Sequence, residues 1–407
     1  MRIWLINHYA VPPEYDPLAR QTYFAKYLQR KGHEVIIFAA STVHNSDLNL
    51  IADSTPYRKL QKNGVKYVVV KCHGYKGNGM DRIFNMTEFA LKLPKVCTHF
   101  RKPDAIVATS MPPMSCAMGI HLARKYHCKG IAEIADLWPE SLIEYGMAKE
   151  KSVTVYALRK LEKWIYKNAN LTVFTGEGGY DYIVEQNWHH EISREKVKYL
   201  NNGIDLEAFD YNKDHFQIED PDLKNPNIFK VIYTGSIRKV NNVGLLLDVA
   251  KHIQNKTVKI LIWGDGEELP VLKERVTREN ISNICFKGKV EKKYIPYIVS
   301  CADLNIAHNN PSKIFRFGIS FNKIFDYLAA GRPILCDFPA NYNPVIMRNA
   351  GIAVETANPN DIAKQIEGFI SMSQKELDKY CMNARETAKE YDFERLTTKL
   401  LDYISSI

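Results

Sequence analysis

The stretch that decides the fold lies late in the chain and reads Phe317-Gly-Ile-Ser-Phe-Asn-Lys-Ile-Phe-Asp-Tyr-Leu-Ala-Ala-Gly-Arg-Pro-Ile-Leu-Cys336. Ser320 and Asn322 are typical helix-start residues, because their side chains can accept hydrogen bonds from the free N–H groups of a first turn. From Lys323 onward, apolar residues recur at helical spacing, at positions 324, 325, 328 and 329. Gly331 and Pro333 are residue types that end a helix, and an apolar run follows them. The stretch therefore predicts a loop, a helix, a tight turn and a short buried strand.

The start of this predicted helix is a candidate anion site. Free N–H groups and the positive end of the helix dipole attract negative charge there. Lys323 places a cation in the first turn, where the dipole disfavours it, so a diphosphate would be a fitting partner. Asp326 lies one turn later on the same side, where it could accept hydrogen bonds from a ribose diol. The alternative is a capped surface helix of an ordinary α/β domain.

The string Ser-x-Asn-Lys-x-Phe-Asp-Tyr-Leu-Ala-Ala-Gly-x-Pro, at residues 320–333, resembles the signature of nucleotide-sugar glycosyltransferases of retaining family 4. The branch that it is most similar to builds bacterial O-antigen and capsule glycans. Asp326 stands where that family carries the second Glu of a Glu-x7-Glu pair, and Gly318 stands where it carries the first. The resemblance implies a GT-B fold, an α/β architecture of two Rossmann-like domains whose parallel sheets face each other across a cleft. It also implies that Ser320, Asn322 and Asp326 bind the donor.

Composition and charge are those of a soluble globular protein with an uneven charge distribution. Of the 407 residues, 45% are hydrophobic and 25% are charged, and the length allows two or three domains. The formal net charge is +9, and residues 1–200 hold 28 Lys and Arg against 19 Asp and Glu, whereas residues 201–407 hold 27 of each. An anionic partner of the first half, such as a phospholipid surface, a polyprenyl-diphosphate acceptor or a nucleic acid, would explain the excess, and so would solvation alone.

Cysteine spacing and hydropathy predict a cytoplasmic protein. The eight cysteines form no Cys-x-x-Cys pair, so we expect reduced, buried thiols and neither disulfides nor a zinc site. His189 and His190 are expected to be loop residues, because a zinc site needs three or four ligands at set spacing. The apolar start Met1–Ile6 is too short for a signal peptide, and no run reaches the ~18–20 apolar residues of a membrane span. Any membrane contact is therefore expected to be peripheral.

The first half predicts a parallel sheet with polar residues at its strand ends. A strand at 2–6, a helix from Arg20 and a strand at 34–38 have the spacing of a βαβ unit. Ligands of open α/β sheets bind beyond the carboxyl ends of strands, which places the loop 7–18 in a cleft. The family usually carries a Gly-Gly pair in this loop, where the chain has Asp16-Pro-Leu18.

Asp136 is the leading carboxylate of the first half. It ends a predicted strand and precedes Trp138-Pro139 in the string Asp-Leu-Trp-Pro, which also resembles the polysaccharide-building branch. We expect it to orient an acceptor hydroxyl or a hydroxyl of the donor sugar. The alternative is that it caps the next helix, which Asp residues often do.

Residues 80–102 mix apolar and basic side chains in a predicted helix. Its apolar positions are accompanied by Lys92, Lys95, Arg101 and Lys102, and such a mixture is typical of a helix that lies on a membrane surface. A core helix with a solvated basic face is the alternative.

A second Rossmann-like domain begins after a junction. Asn-Gly-Ile-Asp at 202–205 resembles a string that the family carries at its domain junction. We therefore predict an acceptor-facing and membrane-facing domain at 1–207, a linker at 208–228, a donor domain at 229–383 and, at 384–407, a last helix that packs back toward the first domain.

The loop after the first strand of this second domain is a candidate phosphate site. Backbone amides after Gly235, the Ser236 hydroxyl and the Arg238 guanidinium would suit phosphate oxygens. The family places a cationic pair in this loop, which Arg238 and Lys239 supply, and Asn241 fits the pattern of the branch. The alternative is a solvated basic turn.

Two further donor-binding residues follow from the resemblance. The segment 286–290 is similar to the family segment whose backbone reads the base, which implies a donor contact at Val290. Arg316 lies in the loop that leads into the stretch at 317–336, where the donor is expected to bind.

The resemblance implies a retaining transferase that moves a sugar from a nucleotide diphosphate, expected to be a UDP-sugar, to a lipid-diphosphate-linked saccharide at the inner membrane face. Arg238 and Lys323 would stabilise the leaving diphosphate, with Asp136 as the third catalytic candidate. No metal or cofactor is expected to be required, and no nucleic acid partner is expected. Two alternatives stay open, a sugar-nucleotide 2-epimerase of the same fold and a non-catalytic sugar-nucleotide-binding module. A nicotinamide dehydrogenase is disfavoured, because no Gly-x-Gly-x-x-Gly follows the first strand.

Overall fold

The computed structural model describes residues 1–16, 20–44, 46–77 and 79–407. The chain folds into two compact units: unit 1 comprises Met1–Asn201 and Phe393–Ile407, and unit 2 comprises Asn202–Asp392. Of the positions that we compared with the family's Gly-Gly pair, Pro17 and Leu18 lie outside the described residues.

Unit 1 is built on a mainly parallel sheet. Its strands are β1 (Arg2–Ile6), β2 (Glu34–Ala40), β3 (Tyr57–Lys62), β4 (Val65–Val70), β5 (Ala105–Thr109), β6 (Lys129–Ile134), β7 (Leu171–Phe174) and β8 (Val197–Tyr199). They lie in the order β3-β4-β2-β1-β5-β6-β7-β8, and within the described residues only β3 and β4 pair antiparallel. The central strands are almost wholly apolar and buried, as parallel strands covered on both faces must be.

Helices cover both faces of this sheet. They are α1 (Arg20–Arg30), α2 (Met80–Cys97), α3 (Pro113–Tyr126), α4 (Glu140–Glu144), α5 (Val153–Asn168) and α6 (Gly179–Glu185), joined by the last helix of the chain, Phe393–Ser405. Phe24 of α1 packs with Phe393 against the face that carries Ile3 and Leu5. On the opposite face, Trp4 of β1 contacts Tyr126 of α3.

Strand β3 is an element that the sequence analysis did not predict. Its residues are largely exposed and lack the alternation of apolar and polar side chains that marks a strand. The turn between β3 and β4 is Asn63-Gly64, with φ of 48° and 81°. An Asn-Gly pair between two extended runs is the hairpin signal that would have predicted this strand.

Unit 2 contains a parallel sheet with helices on its faces. Its strands are β9 (Phe229–Thr234), β10 (Val258–Trp263), β11 (Ile284–Gly288), β12 (Leu304–Ala307), β13 (Ile334–Cys336) and β14 (Gly351–Ala353), in the order β11-β10-β9-β12-β13-β14. Its helices are α7 (Leu206–His215), α8 (Pro221–Lys224), α9 (Gly244–His252), α10 (Leu269–Arg278), α11 (Ile295–Ser300), α12 (Asn322–Ala330), α13 (Pro344–Met347), α14 (Pro359–Ser371) and α15 (Gln374–Glu390). The helix Phe393–Ser405 of unit 1 is therefore α16.

Two segments differ from their predicted form. The stretch 208–228, which we predicted as a linker, contains most of α7 and all of α8 and lies in unit 2. The predicted single helix at 384–407 is instead two helices, because α15 ends at Glu390 and α16 begins at Phe393. Tyr23 of α1 stacks on the Phe393 ring at 4.6 Å, so the second helix packs within unit 1.

Candidate functional site

Helix α12 begins without the side-chain cap that we predicted. Its N-cap residue is Phe321, and Asn322 Oδ1 accepts a hydrogen bond from Asn202 instead of a first-turn N–H. Within the described part of the chain, the backbone N–H groups of Asn322 and Lys323 donate to no protein acceptor. The helix ends at Gly331, which adopts the predicted left-handed conformation with a φ of 61°. The first turn therefore presents two free donors at the positive end of the helix dipole.

Lys323 lies beside these donors. Its Nζ donates a hydrogen bond to the backbone carbonyl of His308 at 2.7 Å and lies 4.5 Å from the centre of the Tyr233 ring. Burial lowers the pKa of Lys323 to about 8, and the negative charge of Asp337 opposes that shift. An ammonium group has three donors, so the contact with His308 leaves capacity for an anionic ligand.

A buried pair behind Lys323 joins the loops of the site. His308 follows β12 and Asp337 follows β13, and the His308 Nδ1 contacts the Asp337 carboxylate while Nε2 donates to the Asn242 carbonyl at 2.9 Å. A carbonyl only accepts, so Nε2 carries a proton. The pair thereby ties together the carboxyl ends of β12 and β13 and the loop after β9. Sequence analysis missed both residues, although polar residues directly after neighbouring parallel strands are a usable signal.

The predicted phosphate loop after β9 is a closed turn. The Ser236 hydroxyl donates to Asn241 Oδ1 at 2.7 Å, and the Asn241 N–H donates to the Arg238 carbonyl at 2.8 Å. Tyr233 anchors the turn by donating its hydroxyl hydrogen to the Ser236 carbonyl at 3.0 Å, while Gly235 donates to the Trp263 carbonyl at 3.0 Å. Because Tyr233 also contacts Lys323, this turn and the start of α12 lie next to each other.

Arg238 projects from the same turn. Its side chain is exposed, and no acceptor within the described residues takes a hydrogen bond from its guanidinium. A cation at this position faces solvent and is accessible to a ligand.

Asp326 occupies the interior side of α12. The side chain is 4% exposed, its Oδ2 pairs with Lys292 Nζ at 2.5 Å, and its Oδ1 has no hydrogen-bond partner. The next residue, Tyr327, accepts a hydrogen bond from the Thr234 N–H at 2.9 Å, which fixes α12 against the end of β9. Lys292 was not predicted, since nothing in the local sequence distinguishes it from the neighbouring lysines.

The other predicted donor-binding residues flank these elements. Val290 follows β11 and lies two residues before Lys292, half-buried against the apolar cluster that contains Trp263. Arg316 contacts its own turn, with NH1 donating to the Lys313 carbonyl and the guanidinium 4.2 Å from the centre of the Phe317 ring. Ser320 is half-buried and lies two residues before the first residue of α12.

Asp136 belongs to unit 1, whereas the other predicted site residues belong to unit 2. It lies just beyond β6, and its backbone carbonyl accepts a hydrogen bond from the Ser110 hydroxyl at 3.3 Å. The alternative role as a helix cap is wrong, because the N-cap of α4 is Pro139. The Asp136 side chain is exposed by its surface area, yet the surrounding protein desolvates the carboxyl group enough to raise its pKa.

The described residues contain neither a metal-binding cluster nor a membrane-spanning helix. No group of three or more His, Cys, Asp or Glu side chains has the arrangement of a metal site within those residues. Their helices are also all too short or too polar to cross a bilayer.

Comparison with known proteins identifies both halves of the chain. Residues 21–208 match the family model described as Glycosyltransferase Family 4, and residues 228–372 match the one described as Glycosyl transferases group 1. Among curated proteins, the chain is 20% identical over 265 residues to the probable glycosyltransferase WbjE of Pseudomonas aeruginosa. That match covers 63% of this chain and 62% of WbjE, so the chain spans less than two thirds of that relative.

Solved structures share the fold at low sequence identity. HepE from Anabaena, crystallised with UDP and with UDP-glucose, is 12% and 13% identical in the two structures, with a TM-score of 0.68 in both and full coverage of both chains. Sucrose-phosphate synthase from Thermosynechococcus elongatus is 14% identical, with a TM-score of 0.71 over 100% of this chain and 98% of that one. The neighbours share the GT-B fold, and each half of the chain matches a glycosyltransferase family model, so the chain is built from two glycosyltransferase-type domains.

Proposed function

We propose that this glycosyltransferase moves a sugar from a UDP-sugar to a lipid-diphosphate-linked saccharide, with retention of configuration, in the synthesis of a surface polysaccharide. The observation that carries the donor half of this proposal is the start of α12, where two free N–H groups and the half-buried Lys323 ammonium lie together. The HepE structures with UDP and UDP-glucose support a uridine-based donor for the same fold.

The diphosphate is the part of the donor that this site would bind. Lys323 and the N–H groups of Asn322 and Lys323 would receive one phosphate, and Arg238 with the turn that contains Gly235, Ser236 and Asn241 would receive the other. The N–H groups at the start of α12 and the Lys323 ammonium are held in place before the ligand arrives, and they would stabilise the charge that develops on the leaving diphosphate without reorganising. The exposed Arg238 guanidinium would turn onto its phosphate when the ligand binds.

The nucleoside would extend toward β11. Asp326 Oδ1 is a buried acceptor without a partner and would accept hydrogen bonds from the ribose hydroxyls. Val290 lies in the segment after β11 and would contact the base, with Arg316 and Ser320 on the α12 side of the donor. The leaving phosphate itself would take the proton of the acceptor hydroxyl, so no separate base and no metal is assigned.

Unit 1 would bind the acceptor. The net charge of unit 1 is +9, whereas that of unit 2 is zero. A positive net charge suits a lipid diphosphate and an anionic membrane surface. Asp136 would orient the acceptor hydroxyl, because it is a carboxylate beyond the carboxyl end of a parallel strand. The enzyme would act in the cytoplasm, peripherally attached to the membrane.

Helix α2 would supply the membrane contact. Asn85, Phe89 and Leu93 on one face are buried, whereas a stripe on the other face is exposed: Met80 (75%), Ile83 (47%), Phe84 (58%) and Leu91 (68%). A core helix does not need a second apolar face. The stripe has the chemistry of a helix that inserts shallowly into lipid, with Lys92 and Lys95 near it to contact anionic headgroups.

The donor half is tested by thermal unfolding with UDP and UDP-sugars. A ligand that binds only the folded state raises the melting temperature as its concentration rises. We expect UDP to do so for the wild type and for Lys273→Ala, an exposed lysine on α10, and not for Lys323→Ala. Turnover of a UDP-sugar should fall by at least about a hundredfold in Lys323→Ala, because it loses a charge-assisted contact to the leaving group.

Two outcomes would contradict the proposal. If no uracil nucleotide stabilised the wild type, the donor site would be wrong. If UDP-sugars bound and were isomerised without transfer to any acceptor, the transferase assignment would be replaced by the epimerase one.

A further inference from the structure

We infer that Lys292 is a positioning residue that makes the donor site selective for a nucleotide with a ribose cis-diol. Lys292 holds one oxygen of the Asp326 carboxylate so that the other oxygen is offered to the two ribose hydroxyls. The inference rests on the proposed function, because it concerns the same nucleotide site, and it assigns a role to a residue that neither motif nor spacing singled out.

The first observation is the asymmetry of the Asp326 carboxylate. Oδ2 is bound by Lys292 Nζ at 2.5 Å, whereas Oδ1 is buried and has no partner. Leaving a buried acceptor unsatisfied costs stability, so a native structure seldom does so without a reason. A carboxylate oxygen has two acceptor positions, which matches the two neighbouring hydroxyl donors of a ribose.

The second observation is where Lys292 comes from. It begins the 3-10 turn Lys292–Tyr294, directly after the segment that contains Val290, and its side chain is 34% exposed. Asp326 lies on α12, which Tyr327 fixes to β9. The Lys292–Asp326 pair therefore links the element proposed to contact the base with the element proposed to contact the diphosphate, at the place where the ribose would lie.

Lys292 is the cation that pairs with the Asp326 carboxylate in this buried position. A buried carboxylate that loses its cationic partner is left uncompensated, and its orientation is no longer fixed. Removing Lys292 should therefore weaken recognition of the ribose hydroxyls while the diphosphate contacts persist.

The test compares the affinities of UDP and 2′,3′-dideoxy-UDP by calorimetry. We expect the wild type to prefer UDP by about tenfold or more, since the hydroxyls bond to a charged acceptor. In Lys292→Met the preference should approach one, with the affinity for 2′,3′-dideoxy-UDP nearly unchanged. Lys293→Met is the matched control, because Lys293 is the next residue and pairs with Glu291 at 3.0 Å; it should keep the preference.

A ratio of two affinities is insensitive to a general loss of stability, which a purely structural ion pair would produce. If Lys292→Met does not fold, Asp326→Asn provides the same comparison, because the amide removes the charged acceptor while Lys292 stays. The ratio of the two affinities in Asp326→Asn should also approach one. A wild-type enzyme that binds UDP without preferring it, or a preference that survives in both variants, would overturn this inference alone. Failure of the wild type to bind UDP would instead overturn the proposed function.

Discussion

The ammonium group of Lys323 is placed so that its charge depends on pH near neutrality. Burial lowers its pKa to about 8, whereas a lysine in the unfolded chain keeps a pKa near 10.4. Between these values the folded state binds fewer protons than the unfolded state, so this residue makes the protein more stable as the pH rises through that window. Below about pH 8 both states are protonated, and the cost of burying the charged group is fully present.

The same group makes nucleotide binding sensitive to pH in the opposite direction. We expect the affinity of the wild type for UDP to fall between about pH 7 and about pH 9.5, because only the protonated amine attracts the diphosphate. The diphosphate of the ligand does not titrate in that range, since the last pKa of a phosphate group is about 6. Calorimetric titrations at several pH values measure this, and Lys323→Arg is the control, because an arginine stays charged.

A flat affinity for the wild type would show that Lys323 does not contact the diphosphate. A fall that persists unchanged in Lys323→Arg would assign the titration to another group.

Sequence analysis found the residues that belong to one local helix pattern and missed those that only tertiary contacts bring to the site. Lys323 and Asp326 stood out because both lie in one predicted helix. Lys292 and His308 did not, because their partners Asp326 and Asn242 lie 34 and 66 residues away. Such pairs depend on the order of strands in the sheet, which no local pattern encodes.

At the scale of elements, the helix that carries the site was predicted with its correct end, but the side-chain cap predicted for its start is absent. Gly331 ends α12 through its own backbone conformation, so the residue type alone was sufficient to predict where the helix ends. The start could not be predicted in the same way, because the Asn322 side chain accepts a hydrogen bond from Asn202 and not from the first turn of the helix. The uncapped start is a departure from the usual local rule at the place where we propose that an anion binds, and such departures concentrate at functional sites.

The loops after β9 and β10 approach so closely that only glycine fits between them. A Cβ atom on Gly264 would lie 1.8 Å from the Gly235 carbonyl oxygen. We expect Gly264→Ala to lower the free energy of unfolding by several kcal/mol, because the backbone of the phosphate turn must move. Chemical denaturation measures this change, and loss of the UDP-induced thermal shift should accompany it.

Gly368 of α14 provides the matched control for that substitution. It is exposed, and no atom lies within 4 Å of the Cβ that an alanine would add. Gly368→Ala should therefore raise the free energy of unfolding by about 0.5–1 kcal/mol through helix propensity alone. Equal effects of the two substitutions would show that the loops after β9 and β10 can separate without cost.

At the scale of the whole molecule, the net charge is distributed unevenly between the two units of the fold. Unit 1 carries the entire net charge of +9, and α16, which returns to unit 1 from the end of the chain, leaves that charge unchanged. The resemblance to the family implied two α/β domains, and the strand and helix patterns, each of which is local, agreed with it. The residues through which α16 packs on α1 could not be predicted from the sequence. They make contacts such as that of Tyr23 with Phe393, and these two residues are far apart in the chain.

This division leads to a prediction about membranes. We expect the enzyme to bind vesicles that contain phosphatidylglycerol and to bind pure phosphatidylcholine vesicles weakly, with added salt reducing the difference, because unit 1 is basic. The double substitution Phe84→Ser and Leu91→Ser on α2 should lower the affinity for the anionic vesicles by at least about tenfold, since each side chain loses the free energy of transfer into lipid. Vesicle flotation measures the bound fraction.

The control for that experiment is Val271→Ser on α10 of unit 2, where the valine is 65% exposed and so matches the α2 side chains in exposure. It should leave vesicle binding unchanged, because unit 2 has no excess positive charge to bring it to an anionic surface. If Val271→Ser weakened binding as much as the double substitution, the contact would be a general hydrophobic one. If the double substitution had no effect, α2 would be a core helix with an apolar outer face, and the basic charge of unit 1 would have to act on the acceptor diphosphate alone.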